Sequence, residues 1–217
     1  MSDSKLTLYS YPTANGVAAS ILLEELGIPY EAVKMSISDA DIGKVHNQVK
    51  SPWYLELNPN GKIPTISHNG FNVFETSAIL LYLTAEFDKE NKFNFHPIQN
   101  PKEYSEVLQW VFFSHGGLGP MQGQGAHFLH ASEKIPYAIN RFTTEARRVY
   151  SILEDRLSKH EWIAGGKYTI ADIKAFGWIR RHGLVEIDLE KEFPKLKAWH
   201  DKIDARPAVQ KGVKIPA

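Results

Sequence analysis

The stretch "KIPTISHNGFNVFETSAILLYL", Lys62 to Leu83, decides how the first half of the chain is built. Two short runs rich in β-branched and aromatic residues flank Asn69-Gly70. That dipeptide is the strongest two-residue hairpin signal in the sequence, because both its residues tolerate the positive φ of a tight turn. Ser77 to Glu86 then carries apolar residues at helical spacing. Upstream, Lys5 to Ser10 reads as a buried strand, and Val17, Ile21, Leu22 and Leu26 mark a helix that Gly27 ends. Tyr30–Ile37 alternates in part as a second strand, and the polar stretch Ser38–Asn60 reads as an irregular helix and a turn. The order β-α-β-(α)-β-β-α describes a small mixed sheet with helices on both faces.

After Phe87 the sequence turns polar and holds Pro97 and Pro101, as a linker would. From Glu103 onward helical patterns dominate: Glu103–Ser114, Pro136–Lys159, Ile170–Gly177 and Phe193–Ala205. The expected organisation is an α/β domain over 1–88, a linker over 89–102 and an all-α domain over 103–217.

The composition narrows the chemistry. In 217 residues, 25 Lys and Arg balance 25 Asp and Glu, so there is no basic excess for gripping nucleic acid or an anionic membrane. No stretch approaches the ~20 apolar residues of a membrane helix. The start, "MSDSKLTLYS", lacks the apolar run of a secretory signal, and the cytosol is the expected location. There is no cysteine, which excludes disulfides, thiolate metal sites and a protein-borne thiol nucleophile. Any sulfur chemistry must arrive with a small molecule.

Three places could carry such chemistry. In "YSYPTANGVAAS" (Tyr9–Ser20) a strand breaks at Pro12 and re-enters helical spacing at Val17, leaving Thr13 and Asn15 in the turn and Gly16 to give it room. Asn15 is either an ordinary helix cap or an amide donor to an anion, including a thiolate whose pKa it would lower. Ile63-Pro64 is either a trans proline at a strand edge, the commoner case, or a cis bond that turns the preceding N–H and C=O toward a peptide-like ligand. Glu75, Thr76 and Ser77 stand where a strand meets a helix; they are a plain cap, or a carboxylate and helix N-terminus suited to an amino-acid head group, and the two are compatible.

Other features read as folding information. Thr169 and Asp172 in "GGKYTIADI" have capping-box spacing, and Trp110, Trp162, Trp178 and Trp199 read as core. Gly116, Gly117, Gly119, Gly123 and Gly125 fall where a helix is expected, at roughly 1 kcal/mol each against Ala, which suggests close backbone approach, a kink or a break lining a cleft. His115, His127 and His130 match no zinc spacing, and no metal site is expected.

Taken together, "NPNGKIPTI", "FETSAILLYL" and "YTIADI" occur in the order found in glutathione transferases, and the resemblance runs from about Leu6 to about Val209. "YPTANG" with "QWVFFSHGGLGPMQGQGAHF" and "IPYAINRF" is most similar to the subclass related to the fungal nitrogen-catabolite regulator, called nu-type in bacteria. The resemblance implies a thioredoxin-like first domain, an all-helical second domain, a homodimer, and a glutathione site in the first domain beside the interdomain cleft. By position it implies that Ile63 bonds the cysteinyl part with Pro64 cis, and that Glu75 and Thr76 hold the γ-glutamyl end. Lys62 would meet the glycyl carboxylate, Thr13 and Asn15 would lie by the sulfur, and Arg141 would reach the ligand from the helical domain. One departure stands out: Val49 occupies a place where Gln or His is frequent, and Gln48 is one residue earlier, so the loop shifts or that contact is lost. Tyr11 is a further candidate for the hydroxyl at the sulfur. The implied activity is glutathione-dependent thiol–disulfide exchange on small disulfides, conjugation to small hydrophobic electrophiles, or both. The competing expectation is a glutathione-binding regulatory or carrier protein with little catalysis.

Overall fold

The computed structural model describes residues 5–216, so the expected domain bounds at 1 and 217 lie outside the described residues. Among the described residues four strands form one sheet in the order β2-β1-β3-β4. They are β1 (Leu6–Ser10), β2 (Glu31–Lys34), β3 (Thr65–His68) and β4 (Phe71–Phe74). Helix α1 (Ala14–Leu26) provides the crossover that lets β2 run parallel to β1, while β3 is antiparallel to both β1 and β4. Asn69 (φ 51°) and Gly70 (φ 84°) make the β3–β4 turn, both at the positive φ that the dipeptide signalled.

The sheet is covered on both faces, as alternation along its strands requires. Leu6, Leu8 and Ile66 are buried together with Ile21 and Leu22 of α1 and Ile79, Leu80 and Leu83 of α3 (Thr76–Phe87). On the other face Met35, Val49 and Tyr54 form a cluster, joined by Tyr9, Val33 and Ile63 and by Trp53 and Leu57 of α2 (Pro52–Leu57). Helix α1 begins three residues earlier than its apolar spacing suggested. Its N-cap is Thr13, whose hydroxyl oxygen accepts from the Gly16 N–H at 3.1 Å. Asn15 therefore lies inside the first turn and is not the cap.

The second unit comprises Glu90–Ala205 and is helical. It contains α4 (Pro101–Phe113), α5 (Gly119–His130), α6 (Pro136–Leu157), α7 (Ile170–Ile179), the short α8 (Leu189–Glu192) and α9 (Pro194–Asp204). The glycine-rich stretch does not break the helix. A π-helical turn over Ser114–Leu118 leads into α5, and the glycines give close packing: a Cβ on Gly119 would lie 2.9 Å from the Trp178 ring, and one on Gly125 would lie 3.1 Å from Val185 Cγ1. The capping box at α7 is present as expected. Asp172 is fully buried and also accepts from Ile163 N–H and Trp199 Nε1–H.

Two segments differ from the expected ranges. The start of the expected linker is fastened to the helical unit: Phe93 O accepts from Ile170 N–H at 2.9 Å, and the Lys167 ammonium bonds Asn94 O and stands over the Phe95 ring. The end of the chain packs with the first unit instead of extending the helical one. There α10 (Pro207–Gly212) lies on α1, with the Ser20 hydroxyl donating to Gly212 O at 2.7 Å and the Arg206 fork on Glu25. A Cβ at Gly212 would come within 2.7 Å of Ile21 Cα, so only glycine lets the two backbones meet.

Candidate functional site

The pairing register gathers the three sequence candidates at one end of the sheet. Tyr9 of β1 pairs with Thr65 of β3, and Thr65 pairs with Phe74 of β4. The C-terminal end of β1, the start of β3 and the C-terminal end of β4 are therefore neighbours. From the first the chain enters Thr13 and the N-terminus of α1, into the second it comes through Ile63-Pro64, and from the third it enters Glu75 and the N-terminus of α3. Adjacent strands are about 4.8 Å apart, so these features span about 10 Å, the reach of an extended three-residue peptide.

At the first position the turn is tight. Thr13 N–H donates to Tyr11 O at 2.6 Å, and a Cβ on Gly16 would lie 2.0 Å from that same carbonyl. Glycine at 16 is thus a steric requirement of the turn that presents Thr13 and Asn15, both half-buried. Because the Thr13 oxygen already accepts from Gly16 N–H, its hydroxyl proton is the part left to point elsewhere. Tyr9 is unsuited to proton transfer: its ring packs on Trp53 and Tyr54, and burial pushes its pKa up, with Glu31 adding to the rise.

At the second position the Ile63-Pro64 bond is cis. Among the described residues, no protein group bonds the Ile63 N–H or C=O. The preceding carbonyl, that of Lys62, takes two donors, Tyr54 Oη–H at 2.9 Å and Asn58 Nδ2–H at 2.7 Å. Both donors also meet the Thr65 hydroxyl, and burial pushes the Tyr54 pKa up to about 12, which keeps its proton in place. This buried network holds the loop on either side of Ile63. The sequence signalled it only through the Asn58 of "NPNG". The Lys62 side chain is exposed.

At the third position Glu75 has φ 72° and ψ 117° and is the N-cap of α3, with no side-chain capping bond. A non-glycine residue in this region costs about 1–3 kcal/mol and persists where the surroundings dictate it. Here the strand ends at Phe74 and the helix starts at Thr76, so one residue makes the whole change of direction. Glu75 is exposed while Thr76 and Ser77 are 3% exposed at the helix start.

These features match known proteins along the whole chain. The glutathione S-transferase N-terminal domain profile matches residues 4–85, and the C-terminal domain profile matches residues 131–207. This chain belongs to the glutathione S-transferase family. Among its relatives, the disulfide-bond oxidoreductase YfcG of Escherichia coli K12 is 39% identical over 211 residues, 94% of this chain and 92% of that protein. The URE2 protein of Meyerozyma guilliermondii is 28% identical over 240 residues, 94% of this chain and 77% of that protein. A crystal structure of a glutathione transferase homologue from Lodderomyces elongisporus, with two glutathiones per subunit, superposes with a TM-score of 0.88 at 39% identity, covering 98% of this chain and 99% of that one.

Two further candidates belong to other elements. Gln48 is buried, and its amide is engaged at both ends, donating to Ser38 O and accepting from Lys50 N–H. Val49 is buried in the α2-side cluster. The loop thus has its own internal fastening, with Gln48 as part of it. Arg141 is exposed on the first turns of α6 in the helical unit, with Glu145 in its electrostatic neighbourhood. Among the described residues no three of His, Asp or Glu come together as a metal site. His130 Nε2 instead lies 3.2 Å from Leu184 O.

Proposed function

We propose that this glutathione S-transferase binds glutathione across the end of its sheet and uses the bound thiolate for thiol–disulfide exchange, with conjugation to small hydrophobic electrophiles as a second reaction of the same thiolate. The observation that carries this is the unbonded Ile63 backbone beside a cis proline, set between two helix N-termini one strand spacing away on either side. An extended peptide pairs with that N–H and C=O as a short strand would. Its γ-glutamyl head then meets the Thr76 helix start and the Glu75 carboxylate, one for each of its charges. Its cysteinyl sulfur falls over the start of α1, near Thr13 and Asn15. Lys62 offers a cation for the glycyl end.

A free thiol with pKa ~8.5 is only a few per cent ionised at pH 7. A helix N-terminus together with amide and hydroxyl donors lowers that pKa by favouring the charged form. In exchange, the thiolate attacks one sulfur of a disulfide, the substrate S–S bond breaks, and the departing thiolate takes a proton from water. A second glutathione thiolate then attacks the mixed disulfide. Two glutathiones are oxidised to glutathione disulfide and one substrate disulfide is reduced to two thiols. Borrowing the thiol explains how a chain with no cysteine can do this work.

A homodimer and a cytoplasmic location belong to the same proposal. The open edge strand β4 carries Phe71 at 61% exposure, a large apolar ring unusual on a lone edge. The reaction consumes reduced glutathione, which the cytosol maintains. Purified protein assayed with glutathione against hydroxyethyl disulfide and chlorodinitrobenzene tests the enzyme claim. Turnover of at least the disulfide is expected. Glutathione binding with no turnover of either would leave a carrier or regulatory protein instead.

A further inference from the structure

A cavity of about 420 Å3 opens at the same end of the sheet, on the β2 side. Tyr11, two residues before Thr13, forms one wall, and Lys34, at the end of β2, forms another. The loop that follows closes it with Ser36, Asp41, Val45 and Asn47. This loop is fixed in place: Ser36 N–H donates to Asn47 O at 2.7 Å, Val49 N–H donates to Ser36 O at 3.0 Å, and Gln48 ties both ends. Lys34 is exposed, and no described residue accepts a bond from its ammonium. Asp41 holds the Ser36 hydroxyl with one carboxylate oxygen at 2.6 Å, and no described residue bonds the other.

One cation and one anion thus line a single small cavity, together with hydroxyls and an amide and with Val45 as an apolar wall. A purely anionic ligand would meet Asp41, and a purely cationic one would meet Lys34. A ligand with a carboxylate and an ammonium on one carbon satisfies both, and the volume lies in the range of small-molecule sites. Through Tyr11 the cavity adjoins the turn that carries Thr13 and Asn15. We propose that it receives the non-glutathione half of the second substrate, and that this half is an α-amino acid, so that the preferred disulfides are of the cystine class. The proposal rests on the thiolate position given under Proposed function. Bound glutathione thiolate attacks one cystine sulfur, the cystine S–S bond breaks, and a cysteine thiolate leaves and is protonated by water. A second glutathione thiolate releases the other cysteine from the mixed disulfide, so two glutathiones supply the two electrons that reduce cystine.

The test compares kcat/KM for four disulfides: cystine with both charges, cystamine with the ammonium only, dithiodipropionate with the carboxylate only, and hydroxyethyl disulfide with neither. Wild type, Lys34→Gln and Asp41→Asn are assayed side by side, with glutathione dissociation constants measured for each. A charge-assisted hydrogen bond is worth about tenfold. Lys34→Gln is therefore expected to lower the cystine-to-hydroxyethyl disulfide ratio about tenfold and to lower that of dithiodipropionate similarly, without lowering that of cystamine. Asp41→Asn is expected to penalise cystine and cystamine and to spare dithiodipropionate. Values of kcat/KM that move equally for all four disulfides, or not at all, overturn the proposal. So does weakened glutathione binding in Lys34→Gln, which would give the cavity to glutathione itself. Wild-type turnover of none of the four overturns the disulfide-exchange function, and this inference with it, a result distinct from turnover that ignores charge.

Discussion

Asp172→Ala is the sharpest test of how the helical unit is held. The carboxylate is fully buried, and its two oxygens accept four bonds. One oxygen takes Ile163 N–H at 3.0 Å and Trp199 Nε1–H at 2.9 Å; the other takes Thr169 N–H at 2.9 Å and the Thr169 hydroxyl at 3.3 Å. Alanine leaves two buried backbone donors and the indole without an acceptor, at about 1–3 kcal/mol for each orphan. Allowing for partial relaxation, the loss near pH 8, where the carboxylate is ionised, comes to about 4 kcal/mol, a large part of the 5–15 kcal/mol that holds a typical domain. Four of the five tryptophans, Trp110, Trp162, Trp178 and Trp199, lie in this unit, so urea unfolding followed by tryptophan fluorescence reports on it.

The pH dependence gives a second, independent readout. Burial pushes the Asp172 pKa up from 3.8 to about 6 against the pull of its hydrogen bonds. The folded state therefore holds the proton more tightly than the unfolded state. The stability this contributes is fully present below about pH 4 and is lost as pH rises through about 6. The variant lacks this contribution, so the gap between wild type and Asp172→Ala narrows by about 1.4 kcal/mol from about pH 5 to about pH 8. A gap under about 1 kcal/mol at pH 5, or one that widens with rising pH, would refute the reasoning.

Four further substitutions probe the site. Asn15→Ala should lower turnover at least tenfold while glutathione affinity changes less than threefold, and should raise the pKa of the bound thiol in a spectroscopic titration; unchanged turnover would remove Asn15 from the chemistry. Glu75→Gly relieves the φ of 72° and should leave the urea midpoint equal or higher, yet weaken glutathione binding about tenfold or more; binding at wild-type strength in calorimetry would contradict the assignment. Gly16→Ala puts a methyl 2.0 Å from Tyr11 O, so the turn must move, and both turnover and stability should fall, the latter by about 1–3 kcal/mol. Arg141→Ala should raise the glutathione dissociation constant several-fold; an unaltered constant would confine Arg141 to the surface of α6.

Local chemistry made much of this architecture readable in advance. Asn69-Gly70 announced its hairpin because few residues accept two successive positive φ values, and Thr169 with Asp172 announced their cap by spacing alone. The start of α1 was harder to place, because Thr13, Asn15 and Gly16 all suit a helix entrance and it is the bond from Gly16 N–H to the Thr13 hydroxyl oxygen that settles the cap. The glycines of α5 were ambiguous for a related reason. What they accommodate is Trp178, distant in sequence, and no local pattern reports a long-range neighbour. The segment from Lys34 to Asn47 reads as the end of a strand up to Ile37 and as a polar stretch from Ser38, whereas the strand ends at Lys34; neither reading signals a cavity, which depends on how a loop closes on itself and not on its composition. The convergence of Thr13, Ile63 and Glu75 is a property of sheet register, which becomes visible only once Tyr9, Thr65 and Phe74 are seen side by side.

The packing of α10 on α1 has a bearing on how the protein comes into being. During synthesis, α1 leaves the ribosome nearly two hundred residues before Gly212, whose carbonyl its Ser20 hydroxyl will meet. Until then the groove beside Ile21 stays open and Glu25 waits for Arg206. The helical unit can be assembled in full while the first unit is still unfinished, so the helix that presents Thr13 and Asn15 is secured among the last steps. A nascent chain stalled before Arg206 would therefore display the sheet and both its helical layers, yet leave the Ile21 side of α1 uncovered as a surface that chaperones can hold.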